Sequence, residues 1–295
     1  MSTNVSVIFD APGPRGRALS RIIGAAGILA CLVIGALLVW ALRSQLLVAS
    51  KWEPFLDSST WTQFVLPGLL QTVKAAALSV VTAGVVGVLL GVGRLSHVRV
   101  ISIVSGVLVE FFRSVPVLVM MVFFYYLFLF SGALSGDTLP FMSVVLGLTF
   151  YNGSVIAELL RAGVGSLPKG QREAGWAIGL TRDQTLWNVL LPQAITAMLP
   201  SLLSQLVVVL KDTALGYIVT YPDLLRSLQT LASGKSNILA ALIVTAVIYI
   251  VINYALTSLA GTVENMVRTR RAGRSVGVGA VPVTATGAVG LDPTD

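Results

Sequence analysis

Long runs of apolar residues, each close to the length of a membrane-spanning helix, dominate this 295-residue chain. A helix needs about 20 mostly apolar residues to cross the hydrocarbon core of a bilayer. Runs of this kind predict six spans, at residues 22–42, 67–92, 114–130, 140–160, 196–220 and 237–262. The sequence therefore predicts an all-α polytopic membrane protein with six transmembrane helices.

The composition argues against several other classes of protein. Charged residues make up 11% of the chain and hydrophobic residues 55%, whereas soluble domains carry about 25% charged residues. Cys31 is the single cysteine and His97 the single histidine, so neither an internal disulfide nor a cysteine or histidine metal site is expected. One histidine also argues against a Ser–His–Asp catalytic set. We expect no metal and no cofactor in this chain.

The basic residues are divided unevenly between the two sides of the predicted membrane domain. With six spans, both termini lie on one side, and the segments on that side hold 13 Lys and Arg residues against 4 on the other. The positive-inside rule then places both termini in the cytoplasm. The net charge of +7 thus reflects topology, and nucleic-acid binding is not expected.

Small residues recur at every fourth position along the second predicted span. They lie on one side of a helix and let a neighbouring backbone approach closely, which favours helix association in lipid. This pattern predicts a packing face made by Ala75, Ser79, Ala83, Gly87 and Gly91.

Polar residues return between the fourth and fifth spans, in a segment that we call the polar hairpin (residues 166–192). Ser166 is predicted to cap a helix over 169–178, and Gly179 to end it in a left-handed conformation. Thr181 and Gln184 have the spacing of a capping box that starts a second helix. Taken alone, these residues fit an amphipathic hairpin on the membrane surface and a docking element for a cytoplasmic partner equally well.

The spacing of residues in the polar hairpin resembles that of a known loop. Glu173-Ala-Gly175 is followed after three residues by Gly179, and after nine more by Val189-Leu-Leu-Pro192. This is similar to the EAA loop of ABC importer permeases, which reads E-A-A, three residues, G, nine residues, I-x-L-P. Gly175 departs from the alanine of that pattern and is expected to loosen the first helix slightly, since glycine costs about 1 kcal/mol in a helix interior.

The resemblance implies that the polar hairpin couples the membrane helices to a separate ATPase. The residues that it assigns to this coupling are Glu173, Ala174, Gly175, Gly179, Leu191 and Pro192. Further stretches resemble the polar amino-acid uptake branch of the family, at residues 67–72, 110–116, 157–163, 192–194 and 210–215. Those at 151–158 and 212–222 look most like glutamate-uptake permeases that carry an added N-terminal helix.

The family pattern implies a division of the chain into an extra helix and a five-helix core. The expected parts are a cytoplasmic tail (1–21), the additional helix (22–42), an extracytoplasmic loop (43–66), the transmembrane domain (67–262) and a largely disordered cytoplasmic tail (263–295).

The function implied by the resemblance is that of a transport subunit, with glutamate as the expected cargo. The chain has no G-x-x-x-x-G-K-[ST] loop to cradle phosphates, so ATP and magnesium are expected on a separate ATPase. The expected partners are ATPase subunits, a second permease subunit or a second copy, and an extracytoplasmic amino-acid-binding protein. Two alternatives stay open: the same machinery with glutamine, aspartate or a basic amino acid as cargo, and an ion-coupled secondary transporter.

Ionisable residues within or near the spans are the remaining candidates for function, since each costs about 2.5–3.5 kcal/mol at membrane depth. The i, i+3 spacing predicts that Glu110 pairs with Arg113 and that Glu158 pairs with Arg161. Residues 100–113, before Pro116, are predicted to form a lead-in helix at the cytoplasmic interface.

Three polar residues deeper in the spans raise questions that the sequence leaves open. Asn152 either holds a neighbouring helix or hydrogen-bonds substrate. Lys211 and Asp212 point about 100° apart on a regular helix, so either each has a partner on another helix or the backbone is interrupted there. The candidates for a translocation pathway or gate are Glu110, Arg113, Asn152, Lys211 and Asp212.

Overall fold

The computed structural model describes residues 13–275, and every regular element within that range is helical. Five helices are long and apolar enough to cross a membrane: Arg15–Ala41, Ser58–Leu95, Thr138–Ser166, Leu199–Val219 and Ile238–Met266. A bent pair, Arg99–Ser114 and Val117–Ser131, makes a sixth if it is counted as one span. The predicted all-α class is therefore confirmed, with five or six helices of spanning length.

The principal helices are numbered in chain order. They are α1 (Pro14–Ala41), α2 (Leu66–Leu95), α3 (Arg99–Ser114), α4 (Val117–Ser131), α5 (Thr138–Ser166), α6 (Lys169–Ala177), α7 (Arg182–Thr185), α8 (Leu191–Ala197), α9 (Leu199–Asp212), α10 (Leu224–Lys235) and α11 (Ile238–Ser275).

Two helices extend beyond the spans predicted for them. Helix α1 begins at Pro14, directly after Gly13, instead of at residue 22, because proline suits the first turn of a helix. Helix α11 continues to Ser275, past the predicted end at residue 262. The rest of the two predicted tails, 1–12 and 276–295, lies outside the described residues.

One compact unit consists, within the described residues, of residues 13–69 and 224–247. Its connection between α1 and α2 is a series of short helical turns. Trp52 and Trp61 each donate an indole N–H to a backbone carbonyl, at 2.8 Å. The Lys51 ammonium donates to the carbonyl of Ser236 at 2.8 Å. The predicted loop 43–66 is therefore a folded, hydrogen-bonded segment.

The start of the second span is fixed by a cap in the same unit. Asp57 accepts hydrogen bonds from the hydroxyl and from the amide of Ser59, at 2.7 and 3.0 Å. The two donors hold the pKa of the Asp57 carboxyl below its usual range. The helical stretch from Ser58 into α2 therefore begins with its first amides satisfied.

The other compact unit contains residues 70–223 and 248–275. In it α2 packs against α5 through the predicted small-residue face, whose members Ala75, Ser79 and Ala83 are fully buried. A methyl group on Gly87 would lie 2.6 Å from the side chain of Ile156. The predicted packing role of this face is confirmed.

The third predicted span, 114–130, is helix α4, and it is preceded by the lead-in helix α3. The two helices meet at an angle of 100°. Val115 is extended, with φ −84° and ψ 126°, because Pro116 disfavours a helical residue before it. The predicted lead-in helix is confirmed, and α4 then packs on α5 with Met121 against Gly147.

Candidate functional site

The first arm of the polar hairpin is helix α6, which begins one residue after Pro168. The prediction that Ser166 caps this helix is wrong. Helix α5 continues to Ser166, whose hydroxyl donates to the carbonyl of Gly163 at 2.8 Å. The hydroxyl is therefore used within α5, and α6 starts without a side-chain cap.

The turn between the two arms is formed by Gly179, as predicted. Its φ is +84°, a left-handed conformation that glycine adopts without steric cost. The amide of Gly179 donates to the carbonyl of Trp176 at 3.0 Å, and that of Leu180 to the carbonyl of Gly175 at 3.1 Å. These two bonds form a Schellman motif, which satisfies carbonyls at the end of α6.

The second arm starts with the predicted capping box. The amide of Gln184 donates to the hydroxyl of Thr181 at 3.3 Å, and the amide of Thr181 donates to the side chain of Gln184 at 2.9 Å. The chain then continues without a break in the helical path through helix α7, the single π-helical turn Leu186–Leu190 and helix α8. The two arms are thus joined by a short, well-defined turn.

The two arms touch at Gly175, which is buried against Thr185. A methyl group on Gly175 would lie 2.7 Å from Cγ2 and 2.9 Å from Oγ1 of Thr185. The side chains of Gln171 and Gln193 add a hydrogen bond between the arms, at 3.1 Å. The departure from alanine at Gly175 permits this close contact, and the expected loosening of the helix stays a prediction.

We expect the substitution Gly175→Ala to destabilise the polar hairpin. Alanine gains about 1 kcal/mol of helix propensity, but overpacking against the short, branched Thr185 costs roughly 1–3 kcal/mol. The measurement is thermal unfolding of the purified protein, with Gly170→Ala as control, since that residue of α6 faces open space. A Gly175→Ala variant as stable as the control would contradict the close contact.

The six residues assigned to coupling divide into two groups. Gly175 and Leu191 are buried, and Leu191 belongs to a small apolar core with Val164 and Leu190. The exposed members are Glu173, Ala174, Gly179 and Pro192. The hairpin is therefore held from inside by apolar packing, and the other four residues lie on its surface.

A contact that the sequence analysis missed ties the hairpin to the α2–α3 connection. Nδ1 of His97 lies 3.0 Å from Oδ1 of Asp183, in the first turn of α7. The two residues are 86 positions apart, and no local spacing signals such a pair.

A network of charged side chains lies at the ends of α2, α3 and α5. The Arg94 guanidinium donates to Glu158 at 2.8 Å and to Glu110 at 2.9 Å. Glu158 also accepts from Nε of Arg161 at 3.0 Å, and the Arg113 guanidinium lies 3.7 Å from it. Glu158 is thus the common partner of three arginines.

The prediction for this region is half right. The pair of Glu158 and Arg161 is confirmed. The pair predicted between Glu110 and Arg113 is wrong, because Arg94 supplies a closer partner for Glu110 and Arg113 turns towards Glu158. No local spacing signals the role of Arg94, because its partners Glu110 and Glu158 lie 16 and 64 residues further along the chain.

Asn152 holds a neighbouring helix. Its side chain is fully buried, its amide donates to the carbonyl of Leu148 at 2.9 Å, and its Oδ1 accepts from Gln205 of α9 at 2.7 Å. Of the two roles that the sequence left open for Asn152, the contact with a neighbouring helix is therefore present.

Lys211 and Asp212 lie where a helix changes form. The α-helical part of the span ends at Asp212, and a 3₁₀ helix, Thr213–Val219, follows. Within the described residues neither side chain forms an ion pair. Lys211 lines a cavity of about 380 Å³ between α9 and α11, together with Ser204, Thr257 and Glu264. Neither predicted alternative is met in full: the helix changes type at this pair, but the span Leu199–Val219 stays continuous.

Comparison of the sequence with known proteins identifies the family of the chain. The sequence profile described as "Binding-protein-dependent transport system inner membrane component" matches residues 83–269, more than half of the chain. The chain belongs to this family. The matched region of this permease contains the polar hairpin, the charged network, Asn152 and the Lys211–Asp212 pair.

Two relatives and one solved structure illustrate the similarity of the permease to other proteins. It is 50% identical over 228 residues to the "Glutamate transport system permease protein GluD" of Corynebacterium glutamicum, covering 77% of this chain and 84% of the relative. It is 30% identical over 204 residues to the "Probable glutamine ABC transporter permease protein GlnP" of Bacillus subtilis, covering 68% and 92%. The structure reported as "Crystal structure of an amino acid ABC transporter with histidines" has 27% identity and a TM-score of 0.65, covering 72% of this chain and 98% of that one.

Proposed function

We propose that this permease carries glutamate inward as the membrane subunit of an ATP-driven ABC importer. The polar hairpin carries the proposal: its two arms, the left-handed Gly179 turn and the Thr181 capping box present a rigid, exposed surface for a separate ATPase. The similarity to the glutamate permease of Corynebacterium glutamicum supports glutamate as cargo. Glutamine is the second candidate, because another relative is named for it.

The proposed complex has several subunits. Two ATPase subunits bind ATP and magnesium, an extracytoplasmic binding protein delivers the amino acid, and a second permease subunit or a second copy completes the pathway. The chain itself holds no cofactor and hydrolyses no ATP. In the described residues no group of three or more His, Cys, Asp or Glu side chains has the arrangement of a metal site.

The test is uptake by proteoliposomes that contain the permease with its cognate subunits. We expect labelled glutamate to enter only when ATP and the binding protein are both supplied, with ionophores having no effect. Unlabelled glutamine and aspartate serve as competitors that define the cargo. Gradient-driven uptake by the permease alone would show a secondary transporter instead.

We further propose that six spans place both termini in the cytoplasm, on the basis of the asymmetry of basic residues. Cytoplasmic reporters fused at residue 5, at residue 97 or after residue 274 are expected to be active, and one at residue 55 silent. An active reporter at 55 with silent reporters at 5 and 97 would reverse the orientation.

For Lys211 and Asp212 we propose a structural and gating role at the change of helix type. Lys211→Met is expected to impair assembly or the control of basal ATPase activity, whatever the substrate, because the change removes a charge from the cavity between α9 and α11. The control is Lys74→Met, which removes another exposed lysine of a span. A Lys211→Met variant that assembles and hydrolyses ATP normally but shows a raised KM for glutamate would assign the lysine to substrate binding.

A further inference from the structure

A cavity of about 350 Å³ opens where two spanning helices meet the polar hairpin. Leu95, the last residue of α2, and Val164, in the last turn of α5, lie on one side of it. Leu186 and Leu190 of the second arm add apolar surface. Leu95 and Val164 lie only a few residues past the predicted span ends at 92 and 160, which is the level expected for the membrane surface.

The charged residues around this cavity are predominantly basic. Arg172 and Arg182 both line it, and within the described part of the chain neither forms an ion pair. The one carboxylate among the lining residues, Asp183, is held by His97 at 3.0 Å. Two guanidinium groups therefore face the cavity without an anionic partner.

Trp176 lines both this cavity and a second one. The Arg182 guanidinium lies 6.0 Å from the centre of the Trp176 ring. This second cavity, of about 320 Å³, shares Trp176 and Arg172 with the first and adds Lys169 and the carboxylate Glu173. A tryptophan between basic side chains, at the end of membrane helices, is the arrangement found at the headgroup level of bilayers.

We propose that the two cavities bind the headgroup of an anionic phospholipid. Arg172 and Arg182 bind the phosphate, since a guanidinium donates two parallel hydrogen bonds to such a group. Trp176 packs beside the glycerol backbone, and the apolar side formed by Leu95, Val164 and Leu190 receives the first carbons of an acyl chain. Basic pockets between membrane helices on the cytoplasmic side bind such headgroups.

The position of the cavities favours a lipid over an acidic side chain of the ATPase. Both cavities are lined by Val164, at the end of a spanning helix, whereas the tip of the hairpin lines neither. At the tip Ile178 is 77% exposed, and Gly179 next to it is exposed as well. The tip thus remains available for the ATPase while a lipid fills the space between the hairpin and the membrane.

The test measures quenching of Trp176 fluorescence in nanodiscs. The full-length permease is placed in phosphatidylcholine discs in which a minor share is brominated phosphatidylglycerol or, for comparison, brominated phosphatidylcholine. The signal of Trp176 is the part of the fluorescence that a Trp176→Phe variant lacks. We expect phosphatidylglycerol to quench this signal with a preference of roughly 25-fold, since each of the two arginines near an anionic headgroup contributes about a fivefold gain.

The variant Arg172→Gln/Arg182→Gln is expected to lose this preference for phosphatidylglycerol. The control Arg99→Gln is expected to keep it, because Arg99 is an exposed arginine of α3 outside both cavities. Equal quenching by the two brominated lipids in the unaltered permease would overturn the site. A preference that survives the double substitution would show general charge attraction instead. Loss of the phosphatidylglycerol signal on adding the ATPase would assign the cavity to that partner. None of these readings uses uptake, so they are independent of the transport assay.

Discussion

A Gly179→Val permease is expected to insert into the membrane but to lose both uptake and association with its ATPase. The residue lies at φ +84° in the turn of the polar hairpin. Left-handed backbone costs roughly 1–2 kcal/mol for a residue with a Cβ atom, and a β-branched side chain is a genuine outlier there. The turn therefore opens, and the two arms no longer present one surface.

The measurement is ATP-dependent uptake together with co-purification of the ATPase. Gly170→Val is the matched control, because Gly170, in the first arm of the same hairpin, also faces open space but has no positive φ. Normal uptake by Gly179→Val would show that the hairpin turn is not needed for coupling.

The second large effect is expected at Glu158, whose carboxylate is shared by Arg94, Arg113 and Arg161. Glu158→Gln removes three ion pairs at once and leaves Arg94, only 19% exposed, with a single carboxylate partner. Partly exposed pairs are worth about 0.2–1 kcal/mol each, so we expect a loss of roughly 1–3 kcal/mol. Unfolding should then begin several degrees lower, and uptake should fall with it.

Thermal unfolding of the purified permease measures this effect, with Glu53→Gln as control for the loss of an exposed carboxylate. The double variant Arg94→Gln/Glu158→Gln should be less destabilised than the sum of the two single variants, because the removed groups are partners. Additive effects would show that the Arg94–Glu158 contact contributes nothing.

Much of the fold was predictable because the relevant signals are local. Apolar runs located the spans, and Pro116 predicted the break between α3 and α4. Gly179 and the Thr181–Gln184 box predicted the hairpin turn, since each acts on backbone groups a few residues away.

The errors arose where a local partner competes with a distant one. Ser166 has the character of a helix cap, but a carbonyl in its own helix α5 satisfies its hydroxyl. Glu110 and Arg113 have the spacing of a pair, but Arg94, 16 residues before Glu110, lies closer in space. Local spacing shows which nearby residues can pair. It does not show whether a residue brought close by tertiary packing is the better partner.

The missed contacts of the candidate site share this cause. Thr185 explains why residue 175 is a glycine, and His97 reaches Asp183 across 86 positions. Both contacts depend on how two arms or two connections meet in space, and neither changes the periodicity of the chain.

The charged network also has a consequence for the order of events during synthesis. Glu110 comes 16 residues after Arg94 in the chain, and Glu158 comes 64 residues after Arg94. At about 5–20 residues per second, Glu158 leaves the ribosome roughly 3–13 s after Arg94, since α3, α4 and most of α5 are made first. During that interval Glu110 is the carboxylate of the network that Arg94 can reach. Glu110 is therefore the first carboxylate of the network that becomes available to Arg94 during synthesis.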